Sequence, residues 1–384
     1  MTSEKIANKK IKVMNLIYSM NDGGAEHIVL NYLRDFKNDP DIEFRLFVYL
    51  GSNNSECNEI IKDENLDVTY LNNPLSRIKI PIIRGPFNRV IRQKAWQKAI
   101  NDFKPDIVHV HISELLDQTM FPIMNENVPI RFDTLHSNPY RYKGHKLRII
   151  KRAFNKEGFI PICITEMQVI QAKDHYGITN YEVLRNGIDV NKVISKKVSR
   201  ADSRKALGIN EKTRIVLGVG RLQEIKRYDL LIRAFAKALT KNEDMLLLIA
   251  GKGELESSLK ELSTELGIND KVRFLGYRKD TELLYCAADI FAMTSYSEAS
   301  PIVLQEAQLL GVRCVVSAGT PIENSITDKV RQMNDDSTLD EWADALLDDE
   351  YIGKKHIDIS DIEVHTVSKN LKDIYIKYYE QRKK

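Results

Sequence analysis

Four cysteines in 384 residues are few, and Cys57, Cys163, Cys286 and Cys314 stand far apart with no CxxC spacing. This excludes a disulfide scaffold and the common zinc patterns, and it fits free thiols in a reducing compartment. Long apolar runs are missing as well. No segment approaches the roughly 20 apolar residues of a membrane span, and the opening MTSEKIANKKIKVMNLIYS has only a broken apolar run with no small-residue cleavage site after it, so a cytoplasmic protein is expected. A strong charge of one sign is also absent. The net charge of +3 and pI near 8.4 are too mild to select nucleic acid, and no ribonucleoprotein-like aromatic motif appears. No GxGxxG follows the first apolar run, which removes the usual dinucleotide fingerprint. There is no internal repeat.

What is present is alternation. Strand-like runs at IKVMNLIYS, EFRLFVYL, LDVTYL, DIVHVH, IRFDTLH, FIPICIT and YEVL are separated by helical stretches such as GAEHIVLNYLRDF, whose Ile28, Val29, Tyr32, Leu33 and Phe36 share a face. That is the pattern of a doubly wound α/β half. After a polar, basic and weakly patterned stretch from Asn186 to Ser203, alternation resumes with RIVLGVG, YDLLIRAFAKAL, MLLLIAG, ELESSLKELSTELG and KVRFLG. At 43% hydrophobic residues the chain can bury two cores. Two Rossmann-like domains are therefore expected, over residues 1–190 and 191–365, with an amphipathic, basic-ended helix at 366–384.

The stretch SEASPIVLQEAQLLG, from Ser297 to Gly311, carries the sharpest local signal. Ser300 and Pro301 read as N-cap and first helical position, and Gly311 as the stop. Val303, Leu304, Ala307 and Leu310 form a buried stripe with Glu306 beside it, while Glu298 lies ahead of the helix. The β-rich runs ADIFAMTS and VRCVVS flank the unit, so the helix opens at the carboxyl edge of a sheet, where such sheets take ligands. Its amides and positive dipole end suit an anion. GRLQEIK places Arg221 and Lys226 just past a strand, where two cations can converge on a diphosphate. AGKGE places Gly251 and Gly253 at the next strand end, where bare backbone can approach a ligand. Each has a plainer alternative: a solvated helix residue for Glu306, a solvated loop for the cations, turn glycines for the last pair. His109 and His111 alternate on a strand, so one of them is expected to face the core with ordinary hydrogen bonds.

Six fragments in one order carry a resemblance: GGAE at Gly23–Glu26, PDIVHVH at Pro105–His111, TLH ending at His136, RNGID at Arg185–Asp189, GRLQEIKRYDLLI from Gly220 to Ile232, and the E-x7-E pair of SEASPIVLQE. Together they resemble the retaining glycosyltransferases of family 4, and among these the enzymes of bacterial capsule and exopolysaccharide synthesis. The resemblance implies the α/β GT-B fold, two Rossmann-like domains facing across a cleft with the C-terminal helix crossing back to the N-terminal domain. It implies a nucleotide-sugar donor, most often a UDP-sugar, and a glycan or lipid-linked acceptor. Glu306 would then hold the ribose hydroxyls, and Glu298 with the backbone of Ala299, Ser300, Pro301 and Ile302 the transferred sugar and its phosphate. Arg221 and Lys226 would take the diphosphate in the place of a metal, so no cofactor and no essential metal are expected. His136 would reach the sugar or the acceptor side. Gly23 and Gly24 would approach the diphosphate from the other domain.

Some positions depart from the family. Ala299 and Ser300 stand where glycine and a bulky apolar residue are usual, which bears on sugar selectivity, and His27 replaces a basic residue after GGAE. TPIENSITDKV, after Gly319, leaves the commoner glycine-rich pattern and points again to the surface-polysaccharide branch. A glycosidase reading of the two glutamates is set aside because the helix N-terminus and the cation pair imply a bound diphosphate. The alternative is a non-transferring GT-B relative, such as a sugar-nucleotide epimerase or a nucleotide-sugar binding protein.

Two acid-free stretches lie in the first half. One carries Arg77, Lys79, Arg84, Arg89, Arg92, Lys94 and Lys98 among Ile, Phe and Trp; the other is PYRYKGHKLRIIKRAFNK. They are expected either to seat a peripheral protein on an anionic membrane surface or to be a solvated basic face.

Overall fold

The computed structural model describes residues 9–21, 23–51, 55–71 and 84–383. The chain divides into two compact units, residues 1–187 with 364–384, and residues 188–363.

The first unit is a parallel sheet of β1 (Ile11–Ser19), β2 (Ile42–Leu50), β3 (Val68–Tyr70), β4 (Ile107–His111), β5 (Ile130–Thr134), β6 (Phe159–Cys163) and β7 (Glu182–Val183), in the order β3-β2-β1-β4-β5-β6-β7. Helices cover both faces, so the central strands are apolar on both sides: Val13, Met14, Leu16 and Ile17 are all fully buried. The helix Val364–Lys383 returns to this unit and packs on the helix Gly24–Phe36. Its Tyr375 hydroxyl lies 2.6 Å from His109 Nδ1, Lys372 Nζ bridges Asp39 and Asp41 at 2.8 and 2.7 Å, and Lys377 Nζ reaches Glu182 at 2.6 Å.

The second unit holds β8 (Arg214–Val219), β9 (Met245–Ala250), β10 (Val272–Gly276), β11 (Ile290–Met293), β12 (Arg313–Val316) and β13 (Val330–Gln332), again parallel, ordered β10-β9-β8-β11-β12-β13. The edge strand β13 is three residues long, too short to leave a periodic signal in the sequence. The weakly patterned stretch before β8 is structured as well. It forms the helices Val190–Ser195 and Arg200–Ala206, and Arg204 is wholly buried. Its guanidinium donates to the carbonyls of Ala287, Glu211 and Thr213 at 3.1, 2.6 and 2.8 Å and to Asp289 Oδ2 at 2.7 Å, which satisfies the buried charge.

Each sheet reverses its strand order once, between β1 and β4 and between β8 and β11. Loops leaving the carboxyl ends of such neighbours part in opposite directions and open a crevice. In the second unit these loops are laced together by backbone alone. The amides of Gly220, Leu222 and Gly251 donate to the carbonyls of Ala250, Lys252 and Gly276 at 2.9, 3.0 and 2.8 Å. A Cβ on Gly251 would stand 1.8 Å from the Gly220 carbonyl oxygen, and one on Gly253 2.2 Å from that of Leu222. Gly253→Ala, which must push backbone apart, is expected to cost over about 3 kcal/mol. Gly267, at φ +68 with open space around it, should lose only about 1–2 kcal/mol as alanine. Urea unfolding of the two variants checks this.

Candidate functional site

The loops at the β8/β11 reversal carry most of the residues singled out in the second unit. After β8 the chain passes Gly220 and the exposed Arg221, makes a single 3-10 turn at Glu224–Lys226, and enters the helix Tyr228–Leu239 through Arg227 at φ +51. The Thr294 hydroxyl, at the end of β11, donates to the carbonyls of Lys226 and Arg227 at 3.0 and 2.8 Å. This clamps the strained turn. Lys226 Nζ then lies 2.6 Å from Glu298 Oε1, and the two side chains are 24% and 12% exposed. Partial burial makes this a stronger pair than a surface bridge, and the ammonium keeps two further protons to give.

The loop after β11 is fixed from beneath. The Glu298 amide donates to the Gly319 carbonyl at 2.8 Å, and Asn324 Nδ2 donates to that of Ala299 at 3.2 Å. The helix that follows is Ile302–Leu309, with Pro301 as its N-cap. The expectation that Ser300 caps it is corrected. Ser300 is buried one residue earlier and accepts from Gln305 Nε2 at 3.4 Å, because proline fixes φ but leaves extended ψ open, so the helix begins after it. Pro301 itself has no side-chain oxygen with which to cap this N-terminus, in contrast to the helix Leu339–Leu347 with its Thr338 and Glu341 capping box. Gly311, at φ +89, ends the helix as expected from sequence.

Glu306 sits half-buried on this helix, where Tyr285 Oη donates to its Oε2 at 3.2 Å. Burial pushes its carboxyl up to about 7, against the pull of the Tyr285 hydrogen bond and of Lys196. Gly251 and Gly253 point the direction a side chain would take into protein backbone, so their demand for glycine comes from loop packing. Tyr285 and Thr294 went unnoticed in the sequence. Each lies in an apolar run, and its partner is distant in the chain.

The first unit gathers its own cluster. Gly23 is the extended N-cap of the helix Gly24–Phe36. The expectation that only one of His109 and His111 faces inward is corrected: residues two apart on a strand share a face, and both rings are fully buried and stacked at 4.2 Å. His136, just past β5, stacks on His111 at 5.4 Å. His109 Nε2 lies 2.7 Å from Thr134 Oγ1, while His111 joins Asn15 Oδ1 through Nε2 and His136 Nε2 through Nδ1, both at 3.1 Å. Burial drives His109 down to about 3, His136 to about 4 and His111 well below its ordinary value, so all three are neutral at physiological pH.

The raised Glu306 carboxyl makes a stability prediction. Its folded-state pKa lies above the unfolded value, so the folded chain holds the proton more tightly and stability falls as pH rises from about 4.5 through about 7. Glu306→Gln removes that cost. It is expected to be more stable than the parent by about 2–3 kcal/mol at pH 8 and indistinguishable below about pH 4.5. Denaturant titrations at the two pH values measure the difference.

Residues 199–355 match the family model "Glycosyl transferases group 1". A D-inositol 3-phosphate glycosyltransferase of Corynebacterium aurimucosum is 38% identical over 161 residues, and the match spans 38% of this chain and 38% of that relative. The Escherichia coli UDP-Gal:alpha-D-GlcNAc-diphosphoundecaprenol alpha-1,3-galactosyltransferase is 25% identical over 293 residues, 72% of this chain and 75% of its own. Among solved structures, Anabaena Alr3699/HepE in complex with UDP and glucose superposes with a TM-score of 0.76 at 20% identity, over 95% of this chain and 99% of that one. The lipopolysaccharide outer core galactosyltransferase WaaB, in its apo form, gives 0.70 at 18% over 96% and 100%. These likenesses show the fold, GT-B. The family match lies within the second unit, and the relative and the structures to which the chain is similar over most of its length are glycosyltransferases of that fold.

Proposed function

We propose that the protein is a retaining glycosyltransferase that moves a sugar from a nucleoside diphosphate donor, a UDP-sugar, to a glycan or lipid-linked acceptor in bacterial surface polysaccharide synthesis. The observation that carries the reading is the Lys226–Glu298 pair at the β8/β11 reversal, beside a helix N-terminus whose N-cap is Pro301. Cation, carboxylate and orphan amides together suit a ligand with a phosphate at one side and hydroxyls at the other. Two relatives support the choice of base and acceptor: one acts on UDP-Gal and a diphosphoundecaprenol-linked sugar, and the other is a structure holding UDP and glucose.

In this reading Glu306 accepts from the ribose hydroxyls, and Glu298 with the backbone of Ala299 to Ile302 holds the transferred sugar and its phosphate. The acceptor oxygen forms a bond to the anomeric carbon on the face that the diphosphate leaves. The bond from that carbon to the diphosphate oxygen breaks, and the acceptor proton passes to a departing phosphate oxygen. Lys226, with Arg221, neutralises the charge that builds there, so the reaction needs no metal. His136 and the Gly23–Gly24 turn are the first unit's contribution.

The first unit also bears on the acceptor. The second basic stretch forms the helix Gly144–Asn155, whose Ile149, Ile150 and Ala153 are spent on the unit's own core. Acids from elsewhere meet part of its charge: Glu114 binds Lys146 at 2.6 Å and Glu157 binds Arg152 at 2.7 Å. Arg141, Lys143, Arg148 and Lys151 remain exposed, with Tyr140, Met167 and Ile170 as exposed apolar groups. In the first stretch Arg77 and Lys79, and the side chains of Arg84 and Arg89, lie outside the described residues; Arg92 lies over the Tyr49 ring and Lys98 pairs with Asp102. No helix among the described residues is long and apolar enough to cross a membrane. A peripheral, charge-driven seat on an anionic inner leaflet is the form of contact this surface permits.

Calorimetry with UDP, GDP and ADP, with and without chelator, tests the donor site. UDP is expected to bind without metal, and Glu306→Ala to weaken it at least tenfold; no binding by any of the three, or no effect of the substitution, favours the non-transferring relative. Sedimentation with phosphatidylserine vesicles at low salt tests the membrane seat, which is abandoned if anionic and neutral vesicles capture the protein equally.

A further inference from the structure

The reversal of strand order in the first unit carries polar side chains where a core would be apolar. Asn15 on β1, His111 at the end of β4 and His136 just past β5 come from three neighbouring strands. Asn15 and His111 are both fully buried, and His136 is partly exposed. We propose that Asn15 and His111 are positioning residues that hold His136 in one neutral tautomer, protonated at Nε2, so that its Nδ1 lone pair is offered to a hydroxyl of a bound sugar.

The direction of each hydrogen bond follows from the chemistry of the groups. His111 Nε2 lies 3.1 Å from Asn15 Oδ1. An amide oxygen accepts and does not donate, so the single proton of a neutral His111 is on Nε2 and its Nδ1 is an acceptor. His136 Nε2, 3.1 Å from that Nδ1, must then donate. A neutral imidazole has no second proton, and Nδ1 of His136 is left with its lone pair. The rings cannot swing to escape this order. His111 is held between His109 and His136, the planes within 28° at each contact, and His109 is pinned by Tyr375 and Thr134.

Two costs stand beside the relay. Ile112, directly after His111, has φ +75, an outlier for a β-branched residue, worth roughly 1–3 kcal/mol. The Asn15 amide nitrogen is buried with no hydrogen-bond partner among the described residues, a loss of similar size at about 1–3 kcal/mol. Turning the amide over would give that nitrogen a partner in His111 Nε2 and reverse every donor down to His136. Asn15 is therefore the residue whose orientation decides what His136 presents. Costs that cluster at a strand-order reversal are the kind a fold retains where side-chain direction matters.

The role toward a sugar rests on the proposed transferase reading; the tautomer does not. The full chain, labelled with ¹⁵N at histidine, is measured by long-range proton–nitrogen correlation, with His136 identified by its loss in His136→Gln. The expected result is Nε2–H at His136, retained in Asn15→Asp, which still accepts, and lost to a mixed population in Asn15→Leu and His111→Phe. An Nδ1–H form in the parent protein, or an unchanged His136 signal in Asn15→Leu, overturns the proposal. If Asn15→Leu does not fold, the parent protein and His111→Phe still decide: Nε2–H at His136 in the parent and a mixed population in His111→Phe support the proposal, and Nδ1–H in the parent or an unchanged signal in His111→Phe overturns it. UDP-glucose and UDP-galactose are then added in parallel with UDP. A shift of His136 Nδ1 with a bound UDP-sugar and none with UDP supports the contact, and no shift with any UDP-sugar that binds removes it. Failure of UDP itself to bind overturns the donor reading while the tautomer result stands.

Discussion

The second unit depends on how closely its loops pass at the carboxyl edge of the sheet. The Gly220 carbonyl and Gly251, and the Leu222 carbonyl and Gly253, occupy space that any side chain would take, and a third such contact joins Gly319 to the Tyr296 carbonyl. With side chains absent from these crossings, backbone amides and carbonyls pair between loops that belong to different βα connections. The loops then have little freedom of their own. Lys226 can be delivered to Glu298, 72 residues away in sequence, because both stand on backbone fixed by its neighbours before any side chain makes contact. A loop clamped in this way supports preorganised charge, which a mobile loop would let relax into solvent.

Within that frame the two glutamates are set apart by surroundings. Glu298 meets an ammonium group at 2.6 Å, whereas Glu306 meets a phenol, and burial raises its carboxyl to about 7 against the pull of Lys196. Near neutrality Glu306 therefore stands between its acid and its anion. Hydroxyl donors favour the anion, since two of them on a carboxylate replace part of the water that burial removed. A helix that keeps such a group beside its buried stripe accepts a loss of stability that an ordinary surface glutamate does not incur. This is a physical reason to propose Glu306 as a ligand contact.

Much of the architecture was legible in the sequence. Twelve of the thirteen strands follow from apolar runs, since a parallel sheet covered on both faces leaves continuous Val, Ile and Leu segments. The E-x7-E spacing and GRLQEIK were likewise visible, because they occupy loops where charged residues stand out against apolar strands. What could not be read were relations between distant residues: Tyr285 with Glu306, Thr294 with the Lys226 turn, and the cradle of carbonyls around Arg204. Arg204 shows why. In sequence it sits in a polar, basic stretch and looks like linker, and nothing local marks the one arginine whose five donors are all to be buried. The misjudged pair, His109 and His111, had a different cause. The period of a strand puts both on one face, and that follows from spacing alone.

The two order reversals solve different electrostatic problems. In the second unit the crevice is ionic: an ammonium, a carboxylate and a helix end stand at fixed places, the arrangement that a charged diphosphate calls for. In the first unit the residues at the equivalent place are uncharged imidazoles, stacked, whose pKa values burial lowers so that they stay neutral. A neutral ring keeps one donor and one acceptor, so it can meet a hydroxyl without first shedding an ionic hydration shell. A protonated histidine there would offer donors alone. Keeping the histidines neutral thus separates recognition of uncharged hydroxyls from recognition of charge. The proposed reaction needs that separation, because its leaving group is an anion and its nucleophile is a hydroxyl.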